Sequence, residues 1–67
     1  MKLVVNGNSV DVKLETPTLS EALDHLGYST QFVAIAVNYT CVPKAAQSSL
    51  VLQENDEIEV LSPQQGG

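Results

Sequence analysis

The chain has 67 residues, 43% of them hydrophobic, 16% charged and 4% aromatic, the composition of one small folded domain and not of a disordered segment. Eight acidic residues against three basic ones leave a formal net charge of -5; the lysines Lys2, Lys13 and Lys44 are scattered, which excludes nucleic-acid binding by backbone neutralisation and disfavours an anionic membrane surface. A chain this short buries only roughly 60% of its unfolded surface, too little to enclose a deep catalytic pocket, so a self-contained enzyme is not expected.

Lys2-Leu3-Val4-Val5 reads as a β-strand. Asn6-Gly7-Asn8 follows as a tight turn, because Asn and Gly both tolerate positive φ. Val10-Asp11-Val12-Lys13-Leu14 alternates apolar with charged, which predicts a second strand with one buried and one wet face, paired antiparallel with the first. Pro17 breaks the pattern. Thr18-Leu19-Ser20-Glu21 is a capping box in which the Thr18 hydroxyl accepts from the Glu21 amide and Glu21 reaches back. Leu19, Ala22, Leu23 and Leu26 form one apolar stripe of a short helix, and Gly27 is placed to end it in the left-handed conformation. A helix this short persists only by packing on a sheet.

Val33-Ala34-Ile35-Ala36-Val37 is continuously apolar and partly β-branched, which predicts a strand covered on both faces or nearly so. Asn38-Tyr39-Thr40 reads as a turn, and Cys41-Val42 as a short return strand ended by Pro43. Residues 44–49 suit a polar loop or a short helical turn through Ala45 and Ala46. Leu50-Val51-Leu52 resumes apolar character, Glu54-Asn55-Asp56 is a turn, and Glu57-Ile58-Glu59-Val60-Leu61 alternates as a final strand. Residues 62–67 hold no large apolar side chain to anchor them, so the sequence divides into a folded domain at 1–61 and a flexible tail at 62–67. Extended, such a tail reaches roughly 20 Å.

Two hairpin strands, a helix and further strands make an α+β arrangement: a mixed sheet of four to five strands with one main helix on one face. A terminal strand beside the first runs parallel to it in the middle of the sheet. That is the β-grasp, or ubiquitin-like, architecture.

The residues that carry a more specific likeness are Val5-Asn6-Gly7, the helix Thr18-Leu19-Ser20-Glu21-Ala22-Leu23, the strand Val33-Ala34-Ile35-Ala36-Val37-Asn38 and the turn Val42-Pro43-Lys44. Leu52, Glu54, Asp56, Ile58, Glu59 and Val60 follow, before the final Gly66-Gly67. In this order and combination, over essentially the whole chain, they resemble the ThiS sulfur carriers of thiamin biosynthesis. Two positions depart from that pattern. Tyr39 stands where the family usually has Gly after the strand-ending Asn, and Gln47 lies where a Trp commonly follows the Val-Pro-Lys turn.

The resemblance implies that the Gly67 carboxylate is the reactive group. A carboxylate is a poor electrophile, so it is adenylated with ATP by an E1-like activating enzyme of the ThiF type. A sulfur donor protein then displaces AMP, and the resulting thiocarboxylate delivers sulfur to a thiazole synthase of the ThiG type. The chain itself is expected to bind no cofactor or metal. Gly66 and Gly67 suit threading through a narrow channel, because a residue without Cβ reaches backbone conformations closed to others. Taken alone, two terminal glycines are an ordinary loose end; after a β-grasp pattern they read as a handle. The close competitor is a MoaD-like carrier serving molybdopterin synthesis. A ubiquitin-like modifier or interaction module is the competitor of another class.

Other candidates have plain explanations. Cys41, the single cysteine, cannot form an intrachain disulfide and lacks the cationic setting of a reactive thiol, so a packed or half-buried strand residue is expected. His25 lies off the apolar stripe without companion ligands. Glu57 and Glu59 fit a wet sheet face that helps attract a basic partner, and Lys44 a solvated loop. Val4, Ala34, Ala36 and Leu61 occupy positions that can face away from the helix, as an apolar docking patch near the tail or as ordinary half-buried residues. The lack of a signal-peptide core, of a membrane-spanning run and of paired cysteines points to a reducing, cytoplasmic setting.

Overall fold

The computed structural model describes residues 1–28 and 34–61. Seven elements follow in chain order: β1 (Lys2–Val5), β2 (Asn8–Asp11), α1 (Leu19–His25), β3 (Ala34–Val37), β4 (Thr40–Cys41), α2 (Lys44–Gln47) and β5 (Glu57–Leu61). The strands form one sheet in the order β2-β1-β5-β3-β4.

β1 and β2 are joined by a two-residue turn in which Asn6 and Gly7 have φ of 51° and 83°, the left-handed pair that matches the twist of a hairpin. The register pairs Val5 with Asn8 and Lys2 with Asp11. β2 therefore starts and stops earlier than the alternation at 10–14 suggests. A strand extends only as far as its partner: the last bond of this ladder runs from Val12 N–H to the Met1 carbonyl at 2.8 Å, and the chain then turns toward α1.

α1 begins as the sequence indicates. Glu21 N–H donates to Thr18 Oγ1 at 3.2 Å, and Thr18 N–H donates to Glu21 Oε1 at 2.9 Å. At its other end Gly27, at φ 85°, donates to Asp24 O at 3.1 Å and Tyr28 donates to Leu23 O at 2.9 Å, the paired bonds of a glycine-ended helix. Leu19, Ala22 and Leu23 are fully buried. They pack with Leu3, Val5, Val12, Ile35, Val37, Leu52 and Ile58 into one core, so α1 covers one face of the sheet.

β3 departs from expectation. Val33 lies outside the described residues, and along Ala34–Val37 burial alternates, with Ile35 and Val37 in the core and Ala34 exposed. The uniform hydropathy of this segment hides a period of two, because alanine tolerates a half-wet face at little cost. Pro43 is the N-cap residue of the short helix α2, the helical turn through Ala45 and Ala46 that the sequence allowed, and Gln47 is buried there at 3% exposure. Gln47 Nε2 donates to the Val42 carbonyl at 3.4 Å. Val42 itself is not in a strand, although its N–H donates to Ile35 O at 2.9 Å.

β5 matches its predicted bounds. It pairs parallel with β1, Val4 opposite Glu57, and antiparallel with β3, Ala34 opposite Leu61. The last strand thus lies in the middle of a mixed sheet with a helix on one face, the β-grasp arrangement.

Candidate functional site

The end of β5 is the part of the fold that leads into residues 62–67. Gly66 and Gly67 lie outside the described residues. What the fold supplies is the strand before them, and that strand is held from both sides by asparagines. Asn6 N–H donates to Ile58 O at 2.9 Å, and its side-chain Oδ1 accepts from Val60 N–H at 2.8 Å. Across the strand, Asn38 N–H donates to Glu57 O at 2.7 Å, while Asn38 Oδ1 accepts from Glu57 N–H at 3.0 Å. Asn38 Nδ2 also donates to Asp56 Oδ1 at 3.0 Å. Both asparagines have φ near 50°, a conformation their short polar side chains favour more than most. Each therefore turns its own hairpin and lends a side chain to β5. Sequence reasoning read both only as turn residues; the available signal was Asn directly after a strand, twice.

Among the described residues, none packs over the face of the sheet opposite α1, and that face is open. Alternation along β5 sends Ile58 and Val60 to the core side and Glu57, Glu59 and Leu61 to the open side. Val4, Ala34, Ala36 and Leu61 share this open face, and Leu61 is 60% exposed. They do not form a continuous apolar surface. Val4 is paired with Glu57 and Ala36 with Glu59, so two carboxylates stand among them along the central strand. Cys41, paired with Ala36 on the outermost strand, is exposed and not packed. Among the described residues this two-residue edge strand has no outer neighbour to cover it.

Tyr39 completes this end of the face. It follows Asn38 in a second left-handed turn, at φ 70°, and is 80% exposed. The Glu57 carboxylate beside its hydroxyl pushes the phenol pKa up, with Glu59 acting in the same direction. His25, in the last turn of α1, and Lys44, at the start of α2, are exposed. Among the described residues no three His, Cys, Asp or Glu side chains are grouped to hold a metal, and no helix is long and apolar enough to cross a membrane.

The ThiS family profile matches residues 3–67. The chain belongs to the ThiS family. At that level it is a sulfur-carrier protein of thiamin biosynthesis. Among solved structures, it is similar to the crystal structure of a thiamine biosynthesis protein (ThiS) from Geobacter metallireducens, at 25% identity and a TM-score of 0.83 over 92% of this chain and 93% of that one. It is also similar to the solution structure of a thiamine biosynthesis protein from Geobacter metallireducens, at 25% identity and a TM-score of 0.77 over 91% of this chain and 81% of that one. No curated protein matches the sequence. The fold and the family expected from the sequence are thereby established.

Proposed function

We propose that residues 1–61 are a folded body and residues 62–67 an arm whose terminal Gly67 carboxylate carries the sulfur. In this reading the chain is a co-substrate of its partners and not an enzyme. An E1-like adenylating partner joins the Gly67 carboxylate to the α-phosphate of ATP, releasing pyrophosphate. The terminal sulfur of a persulfide donor then attacks the acyl carbon and AMP leaves. A thiol cleaves the S–S bond of the acyl persulfide, which gives the thiocarboxylate and a disulfide. The thiocarboxylate passes its sulfur to a thiazole synthase. ATP belongs to the partner.

The observation that carries this reading is the family match through residue 67. One feature of the fold and two of the sequence support it. β5 is the central strand, locked by neighbours and by Asn6 and Asn38, so the arm is presented from a fixed base. Glycine at the arm's end leaves its carbonyl open to phosphate and sulfur, and the net charge of -5 favours encounter with a basic partner.

Intact-mass measurement tests the proposal. Incubation with ATP, the adenylating enzyme and a persulfide donor should add the mass of one oxygen-to-sulfur exchange. Removal of Gly67 should abolish the gain while leaving the melting curve unchanged. Sulfur loading that survives this deletion overturns it.

A further inference from the structure

Tyr39 is a bulky side chain at φ 70°, a backbone region where a Cβ is disfavoured and glycine is the ordinary choice. Burial does not compensate, since the residue is 80% exposed. The position is nevertheless well defined. Asn38 fixes the turn to β5 through its backbone and side-chain bonds to Glu57, and the register sets Val37 opposite Ile58 and Ala36 opposite Glu59. The tyrosine therefore follows directly on the turn residue bonded to Glu57, at the rim of the open face, and Glu59 projects from the same face two residues further along β5. Among the described residues the ion pair formed is that of the Met1 amino group with Asp11, so neither carboxylate has a cationic partner there.

An aromatic face next to two unpaired carboxylates is suited to one kind of group. A guanidinium stacks on the ring and donates to both carboxylates at once, which a compact ammonium does less well. We propose that Tyr39, Glu57 and Glu59 receive an arginine of the adenylating partner. The inference rests on the functional reading above and adds a recognition contact at the end of the face away from the arm. Along β5, Glu57 is four residues from Leu61, roughly 13 Å at strand rise. A partner that engages the arm and lies over the sheet reaches both.

The turn permits a clean test, because Tyr39→Gly relieves the left-handed strain and so should melt no lower than the parent. Binding of the parent, Tyr39→Gly, Tyr39→Phe, Glu57→Gln and Glu59→Gln to the organism's own adenylating enzyme is measured with ATP at low and high salt. Tyr39→Gly is expected to weaken binding roughly 10-fold, the scale of a desolvated cation–π contact. Tyr39→Phe, which keeps the ring, should lose less. Glu57→Gln and Glu59→Gln should both weaken binding and flatten its salt dependence. A parent that binds while folded Tyr39→Gly binds equally well overturns the inference and leaves the functional reading standing. A parent that is neither bound nor adenylated overturns both.

Discussion

Val60 is held at both of its backbone polar groups by the side chain of Asn6: its N–H donates to Asn6 Oδ1 at 2.8 Å and its carbonyl accepts from Asn6 Nδ2 at 3.4 Å. One turn residue of the first hairpin thus fixes the last strand immediately before residues 62–67.

Asn6→Ala removes both bonds and leaves a Cβ-bearing residue at φ 51° without its local polar side chain. The expected loss is about 2 kcal/mol, about half from the bonds and half from the left-handed backbone. Asn6→Gly removes the bonds alone and should lose about 1 kcal/mol. Urea unfolding of the two variants separates the contributions; equal losses would show that the backbone term is absent.

The capping box of α1 is open to the same approach. Thr18→Ala should cost about 1 kcal/mol, while Thr18→Ser should be nearly neutral because serine retains the accepting oxygen. Thermal melts followed by circular dichroism read the difference. A loss with serine as large as with alanine would assign the effect to the Thr18 methyl group.

Ile58 is 1% exposed in the central strand, whereas Leu61, three residues on, is 60% exposed. Ile58→Ala should cost about 3 kcal/mol, a large share of the stability of so small a domain, and Ile58→Val about 1 kcal/mol. Leu61→Ala should stay within about 0.5 kcal/mol. Comparable destabilisation by Leu61→Ala in chemical denaturation would mean that the open face is covered.

Tyr39 should ionise above its ordinary value of 10.0, with the Glu57 carboxylate as the main cause. The neutral phenol is favoured by the fold, so its contribution to stability is fully present below the unfolded-state value. That contribution is lost as pH rises from about 10 through the higher folded value. Ultraviolet titration in a Tyr28→Phe background reads the midpoint directly. Glu57→Gln should bring it down; an unchanged midpoint would place the carboxylate too far away to act.

The helix was legible because its signals are local. Thr18, Glu21 and Gly27 act on backbone groups within a turn of themselves, and the stripe from Leu19 to Leu26 has one period. The final strand was legible for the same reason, its alternation being clean from Glu57 to Leu61. β2 was misplaced because its length depends on β1 and not on its own alternation. β3 looked doubly covered because Ala34 and Ala36 count as apolar whichever way they face. Cys41 looked packed because nothing in its neighbours shows that β4 is the outermost strand.

By itself the sequence determined the fold class, the capped helix, the central placement of the last strand and the family, because each follows from short-range patterns or from their order along the chain. Only the tertiary structure decided that Glu57 and Glu59 divide the open face, that Asn6 and Asn38 grip β5, and that the turn carrying Tyr39 is bonded to Glu57. Those relationships join segments far apart in sequence. Strand register alone sets them, and register is a property of the assembled sheet.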